Sequence, residues 1–91
     1  MRKSRKDAEI MLKRLWYMEK LGADEEEISQ LHLVVRNLVD NIPNETLRKV
    51  AEARYLDCLT WKEVEKKLNY SKASLNRYNK IILDCVACQM W

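Results

Sequence analysis

One glycine and one proline occur in 91 residues. That scarcity leaves little material for turns, and no segment alternates apolar and polar residues as a strand would. Charged residues make up 34% of the chain, and Leu, Lys and Glu are frequent, so the composition favours a nearly all-helical protein with short connections. No run of 18 apolar residues exists, which excludes a transmembrane helix. The basic start MRKSRKDAEIM has no following apolar segment or cleavage site, so it does not read as a signal peptide and a cytoplasmic location is expected. Cys58, Cys85 and Cys88 are then expected as reduced thiols, and their odd number argues against a disulfide framework. His32 is the lone imidazole and cannot build a catalytic dyad by itself; a boundary or interface role fits it better. There is no Gly-rich phosphate loop and no isolated carboxylate pair in an apolar segment. Catalysis and a bound cofactor are therefore not expected.

A chain this short makes one domain, residues 1–91, with a small core. Its stability should be on the order of 0.1 kcal/mol per residue. Small cores of this kind are often reinforced by oligomerisation.

Helical periodicity divides the chain into five helices. The first runs from Ser4 or Lys6 to Leu21, with Ala8, Met11, Leu12, Leu15, Met18 and Leu21 on one stripe and Gly22 placed to end it. Ser4 and Asp7 are both candidate caps. The second starts at Asp24, with Glu27 completing a capping box, and repeats Ile28, Leu31, Val35, Leu38 and Ile42 at heptad spacing. Leu33, Val34 and Val39 widen that stripe, which wants a helical partner along its whole length. The connection Gly22-Ala23-Asp24 is short, so residues 1–43 predict an antiparallel hairpin. Pro43 stops the second helix, and Asn44 caps a third that reaches Asp57 or Cys58 on a looser stripe of Leu47, Val50, Ala51, Tyr55 or Ala53, and Cys58. Thr60 with Glu63 caps a short fourth helix, Trp61 to Leu68, whose buried face is Trp61, Val64 and Leu68. Asn69-Tyr70 forms a turn, and Ser71 caps a fifth helix over residues 72–89. Leu75, Tyr78, Ile82 and Cys85 form its inward face, with Ile81 and Cys88 beside them.

Charge is unevenly placed. Residues 1–43 carry eight basic and eight acidic side chains, whereas residues 44–91 carry nine basic and six acidic. No acidic residue lies between Lys66 and Leu83, where Lys66, Lys67, Lys72, Arg77 and Lys80 gather. Two short helices joined by a tight turn, the second starting at a Ser cap with unopposed positive charge, suit duplex DNA readout. On this reading residues 44–91 are a helix-turn-helix unit. Arg77 would bond guanine O6 and N7, and Asn76 an adenine edge. Ala73 would touch a thymine methyl, and Ser74 a base or phosphate. Lys66, Lys67, Lys72 and Lys80 would anchor phosphates, with Thr60 and the start of the fourth helix as a further phosphate site.

The stretch Ile42-Pro43 to Leu83 resembles region 4 of the sigma-70 family of RNA polymerase sigma factors. The matching residues are Ile42-Pro43, Arg54-Tyr55-Leu56, Leu59-Thr60-Trp61, Glu63-Val64, Leu68, Tyr70-Ser71 and the basic helix that follows. Asn69 stands where Gly or Asp is often found. The segment MLKRLWYMEKL is similar to the start of small phage and prophage proteins resembling the RinA/ArpU late-operon regulators. Longer members of that group carry an extended coiled coil where this chain has only Gly22-Ala23-Asp24. The resemblance implies sequence-specific binding of double-stranded DNA in phage transcription control, inside a bacterial host cell. It carries the contacts onto Lys72, Ala73, Ser74, Asn76, Arg77 and Lys80. The alternative is a protein-binding adaptor or inhibitor whose helical surface occupies RNA polymerase or another host protein. A part in a phage packaging machine is a third possibility.

Other features have plainer readings. Cys85 and Cys88, spaced i and i+3, supply half of a zinc site that two subunits could complete with four thiols, but core packing suits them better. Trp16, Tyr17 and Trp91 exceed what one small core can use, so a homodimer is expected. Such a dimer would set two recognition helices one duplex turn, roughly 34 Å, apart. Arg2, Lys3, Arg5 and Lys6 read equally as a DNA-contacting arm or a solubilising end.

Overall fold

The computed structural model describes residues 4–90. Helix α1 spans Arg5–Leu21 because both of its ends carry local stop signals. Ser4 is the cap: its hydroxyl accepts from the Asp7 N–H at 3.2 Å, and the Asp7 carboxylate accepts from the Ser4 N–H at 3.0 Å. At the other end Gly22 takes φ 70°, a left-handed conformation that glycine adopts without a Cβ penalty. This lets the Ala23 N–H reach the Met18 carbonyl at 3.0 Å.

Helix α2 spans Glu25–Asp40. Asp24 caps it, but accepts from the Glu26 N–H at 3.3 Å instead of entering the expected box with Glu27, which stays exposed. Ile42 leads into the next helix fully buried, and Arg48 Nη1 donates to its carbonyl at 2.9 Å.

Helix α3, Glu45–Ala51, is capped by Asn44, whose side chain accepts from the Leu47 N–H at 3.1 Å. The expected continuation to Asp57 or Cys58 as one α-helix does not occur. A π-helical turn, Glu52–Leu56, replaces its last part. A regular helix would carry the charged Arg54 inward along the line of Leu47, Val50 and Ala51. The wider turn instead buries Ala53, Tyr55 and Leu56. It closes with the Asp57 N–H on the Glu52 carbonyl at 2.8 Å, and Cys58 then takes φ 57°.

Helices α4, Trp61–Leu68, and α5, Lys72–Gln89, complete an all-α structure with no strand among the described residues. The buried apolar residues form one cluster drawn from every helix, and among the described residues no charged or polar side chain is fully buried. Helix α5 is the spine, packed against α1, α2, α3 and α4. Its buried residues are Leu75, Ile82, Leu83, Val86 and Ala87, whereas Ile81 is 43% exposed and Cys88 is exposed. The inward face is thus rotated from the expected one towards its neighbours, because several helices cover it.

The heptad seam of α2 is fully buried only in its C-terminal half. Val35 and Val39 are buried, Ile28, Leu31 and Leu38 are half-buried, and Leu33 and Val34 are exposed. The links to other elements also gather there: Arg36 faces Glu52, and Gln89 donates to the Leu38 carbonyl at 2.9 Å. No helix among the described residues is long and apolar enough to cross a membrane.

Candidate nucleic-acid interface

The basic segment is built from the π turn, α4 and α5. Thr60 starts α4 with a full capping box. Its hydroxyl accepts from the Glu63 N–H at 3.2 Å, while the Glu63 carboxylate accepts from the Thr60 N–H at 3.1 Å. These bonds, the Thr60 N–H first among them, hold the Glu63 carboxyl below the usual range. A carboxylate thus already occupies the place where a phosphate would approach Thr60, which weakens Thr60 as an anion site.

Asn69 ends α4 at φ 61°, and Ser71 starts α5 by accepting from the Ser74 N–H at 3.2 Å. The Ser71 hydroxyl also lies 3.1 Å from that of Ser74. Ser74 is therefore half-buried in the cap, and its hydroxyl is already engaged there.

Aromatic contacts fix α4 and α5 from below. Tyr70 and Tyr78 meet edge to face at 5.4 Å, and Tyr55 meets Trp61 at 6.4 Å. The Arg54 guanidinium sits 5.2 Å from the Trp61 ring and 5.8 Å from that of Tyr55, and its Nη1 donates to the Leu59 carbonyl at 2.9 Å. Its Nε is buried without a hydrogen-bond partner. Asn79, which the sequence did not single out, accepts a hydrogen bond from the Tyr55 hydroxyl. Burial pushes the Tyr55 phenol well above its ordinary range.

The opposite side of α5 is open. Lys72, Ala73, Asn76, Arg77 and Lys80 are exposed, and their spacing of three and four residues places them on one face. The Arg77 guanidinium lies 5.9 Å from the Tyr78 ring, which steadies an otherwise free side chain. Lys66 and Lys67 are exposed on α4, but Lys67 Nζ lies 3.4 Å from Asp57 Oδ2, so part of its charge is already answered.

Two further residues enter through the fold. Lys62 and Glu65 line a groove with Trp61, Lys72, Leu75 and Asn76. Lys62 adds a cation beside Lys72, and Glu65 adds a carboxylate to a surface that looks wholly basic between Lys66 and Leu83. Helical spacing along α4 holds the only sequence signal for them. Lys62 and Glu65 differ by three positions and so share a face.

The remaining candidates lie elsewhere. Cys58, Cys85 and Cys88 are free thiols, and no cluster of three metal-binding side chains occurs among the described residues. Burial, with Glu19 adding to it, pushes the Cys58 thiol up to about 12. Burial also raises that of Cys85. His32 lies half-buried beside Ile28, Ser29 and Leu33. Trp16 is half-buried beneath Lys20, with its Nε1 buried and unbonded. Arg5 pairs with Asp84 on α5 at 2.6 Å. Arg2, Lys3 and Trp91 lie outside the described residues. No family model, no curated protein and no solved structure matches the chain.

Proposed function

We propose that the chain is a sequence-specific double-stranded DNA-binding protein that reads the major groove with α5. The supporting observation is the two-sided character of this helix. Leu75, Tyr78, Asn79 and Ile82 tie it to the rest of the fold, while Asn76, Arg77, Ala73 and Lys80 stand together on the open side. A rigid backing and a free polar face are what base readout needs. Arg77 and Asn76 act as the base readers. Lys72, Lys80 and Lys66 anchor phosphates, with Lys62 added to that set and Lys67 weakened by Asp57. On this reading α4 and α5 are a helix-turn-helix of the sigma-70 region 4 kind, α1 and α2 are its supporting hairpin, and the biological setting is transcription control of a phage or prophage.

Selection from random duplexes, followed by fluorescence anisotropy at several salt concentrations, tests the reading. A recovered consensus site bound more tightly than scrambled duplex, with affinity falling as salt rises, supports it. Absence of duplex binding even at low salt ends it. Salt-insensitive retention of RNA polymerase in a pull-down, without any DNA shift, favours the protein-adaptor alternative instead.

A further inference from the structure

Helices α1 and α2 pack together, yet each leaves a second apolar surface uncovered. Ile10 is 56% exposed and Tyr17 52% exposed on α1, and Val34 is 45% exposed on α2. Met11, Met18, Leu31 and Val34 line a groove between the two helices. Arg14 borders both this groove and the surface of Ile10 and Tyr17, so the two areas are continuous. A contiguous apolar surface with a charged rim marks an interaction site.

The rim is polarised. Arg14 stands on the α1 edge of the groove and Glu27 on its α2 edge. Among the described residues, neither belongs to an ion pair. The α1 side, where Lys6, Lys13 and Arg14 outnumber Glu9, is net basic, and Glu27 makes the α2 side acidic; such a surface is complementary to its own rotated copy.

We infer that this face is covered by the same face of a second copy, giving a four-helix bundle in which each α1 lies over the partner's α2. A two-fold axis running along the paired helices exchanges the edges. It sets Arg14 of each copy against the partner's Glu27, so the charge pattern is met twice. Stacking α1 on α1 instead would oppose Arg14 to its own copy. The groove residues Met11, Met18, Leu31 and Val34 supply the centre of the bundle, with Arg14 and Glu27 flanking them. The inference is independent of the DNA reading, because association is measured without DNA.

Sedimentation equilibrium over a wide range of protein concentration tests it. The wild-type chain sediments as a dimer. Val34→Glu and Arg14→Glu each weaken association by about tenfold or more, equivalent to about 1.4 kcal/mol. The charge swap Arg14→Glu with Glu27→Arg regains association relative to Arg14→Glu alone. These positions lie on the surface of the single chain, and circular dichroism verifies that each variant keeps its helix content. A wild-type monomer at every concentration overturns the inference and leaves the face to a different protein. A dimer unaffected by both single variants, or a charge swap no stronger than Arg14→Glu, also overturns it.

Discussion

The Tyr55 hydroxyl donates a hydrogen bond to Asn79 Oδ1, joining the π turn to the middle of the proposed reading helix. The bond sits one turn below Asn76 and beside Lys80, so it bears on how α5 is aimed. Tyr55→Phe removes the donor and leaves a half-buried amide oxygen without it. The expected loss is about 1 kcal/mol of stability, read from the urea midpoint. Duplex affinity should fall further than this loss of folded protein accounts for, because the helix loses a fixed point against its support.

The same phenol sets an alkaline limit. Its folded pKa is raised, chiefly by burial, so its contribution is fully present below its unfolded value and is lost as pH rises towards the folded one. Unfolded tyrosine titrates near about 10, so stability should decline above that pH. The Cys58 thiol acts in the same direction from about 9 towards about 12. Urea titrations from pH 8 upward test this, and the decline should be shallower in Tyr55→Phe and in Cys58→Ala than in the wild type. Equal slopes in all three would remove both groups from the account.

Arg77 and Lys66 should separate base reading from phosphate anchoring. Arg77→Ala is expected to flatten discrimination at one base pair, by about 1–3 kcal/mol, as measured by anisotropy against single-base variants of the selected site. Lys66→Ala should weaken all duplexes alike and reduce the salt slope by about one phosphate contact. A Lys66→Ala effect confined to one base pair would reverse this assignment.

Lys67 should be restrained by its neighbour. Its ammonium faces the Asp57 carboxylate, and both side chains are more than half exposed, so the pair contributes little to folding. Asp57→Asn therefore leaves stability within about 0.5 kcal/mol of wild type while releasing the cation. Non-specific duplex affinity should rise and its salt dependence should steepen. The same substitution in a Lys67→Ala background should lose most of that gain.

What could be read from the chain depended on the range of the interaction. Ser4, Gly22, Asn44, Thr60, Asn69 and Ser71 act within a few residues of themselves, and all stand at the helix ends expected of them. The open face of α5 was legible for the same reason, since spacing alone places Asn76, Arg77 and Lys80 together. The burial of Leu83, Val86 and Ala87 in place of Ile81 and Cys88 was not, because it depends on which helices cover α5. Nor was the π turn, where burying Tyr55 and Leu56 outweighs the regular hydrogen-bond ladder. Asn79 and Asp57 gained their roles from partners 24 and 10 residues away, beyond any local pattern.

Asn69 ends α4 two residues before Ser71 caps α5. At φ 61° it occupies the left-handed region, where its N–H still reaches the Glu65 carbonyl at 2.9 Å. Asparagine tolerates this conformation better than most residues, and glycine tolerates it best. Asn69→Ala should therefore cost about 1 kcal/mol or more, whereas Asn69→Gly should be neutral or slightly stabilising. If the turn also aims the reading helix, Asn69→Gly keeps full duplex affinity, and Asn69→Ala loses affinity at temperatures where it is still folded. Comparing thermal midpoints with anisotropy well below them separates the two effects. Equal stability of the alanine and glycine variants would mean that the turn relaxes into another conformation, and that α5 is positioned by its packing against the other helices and not by the turn.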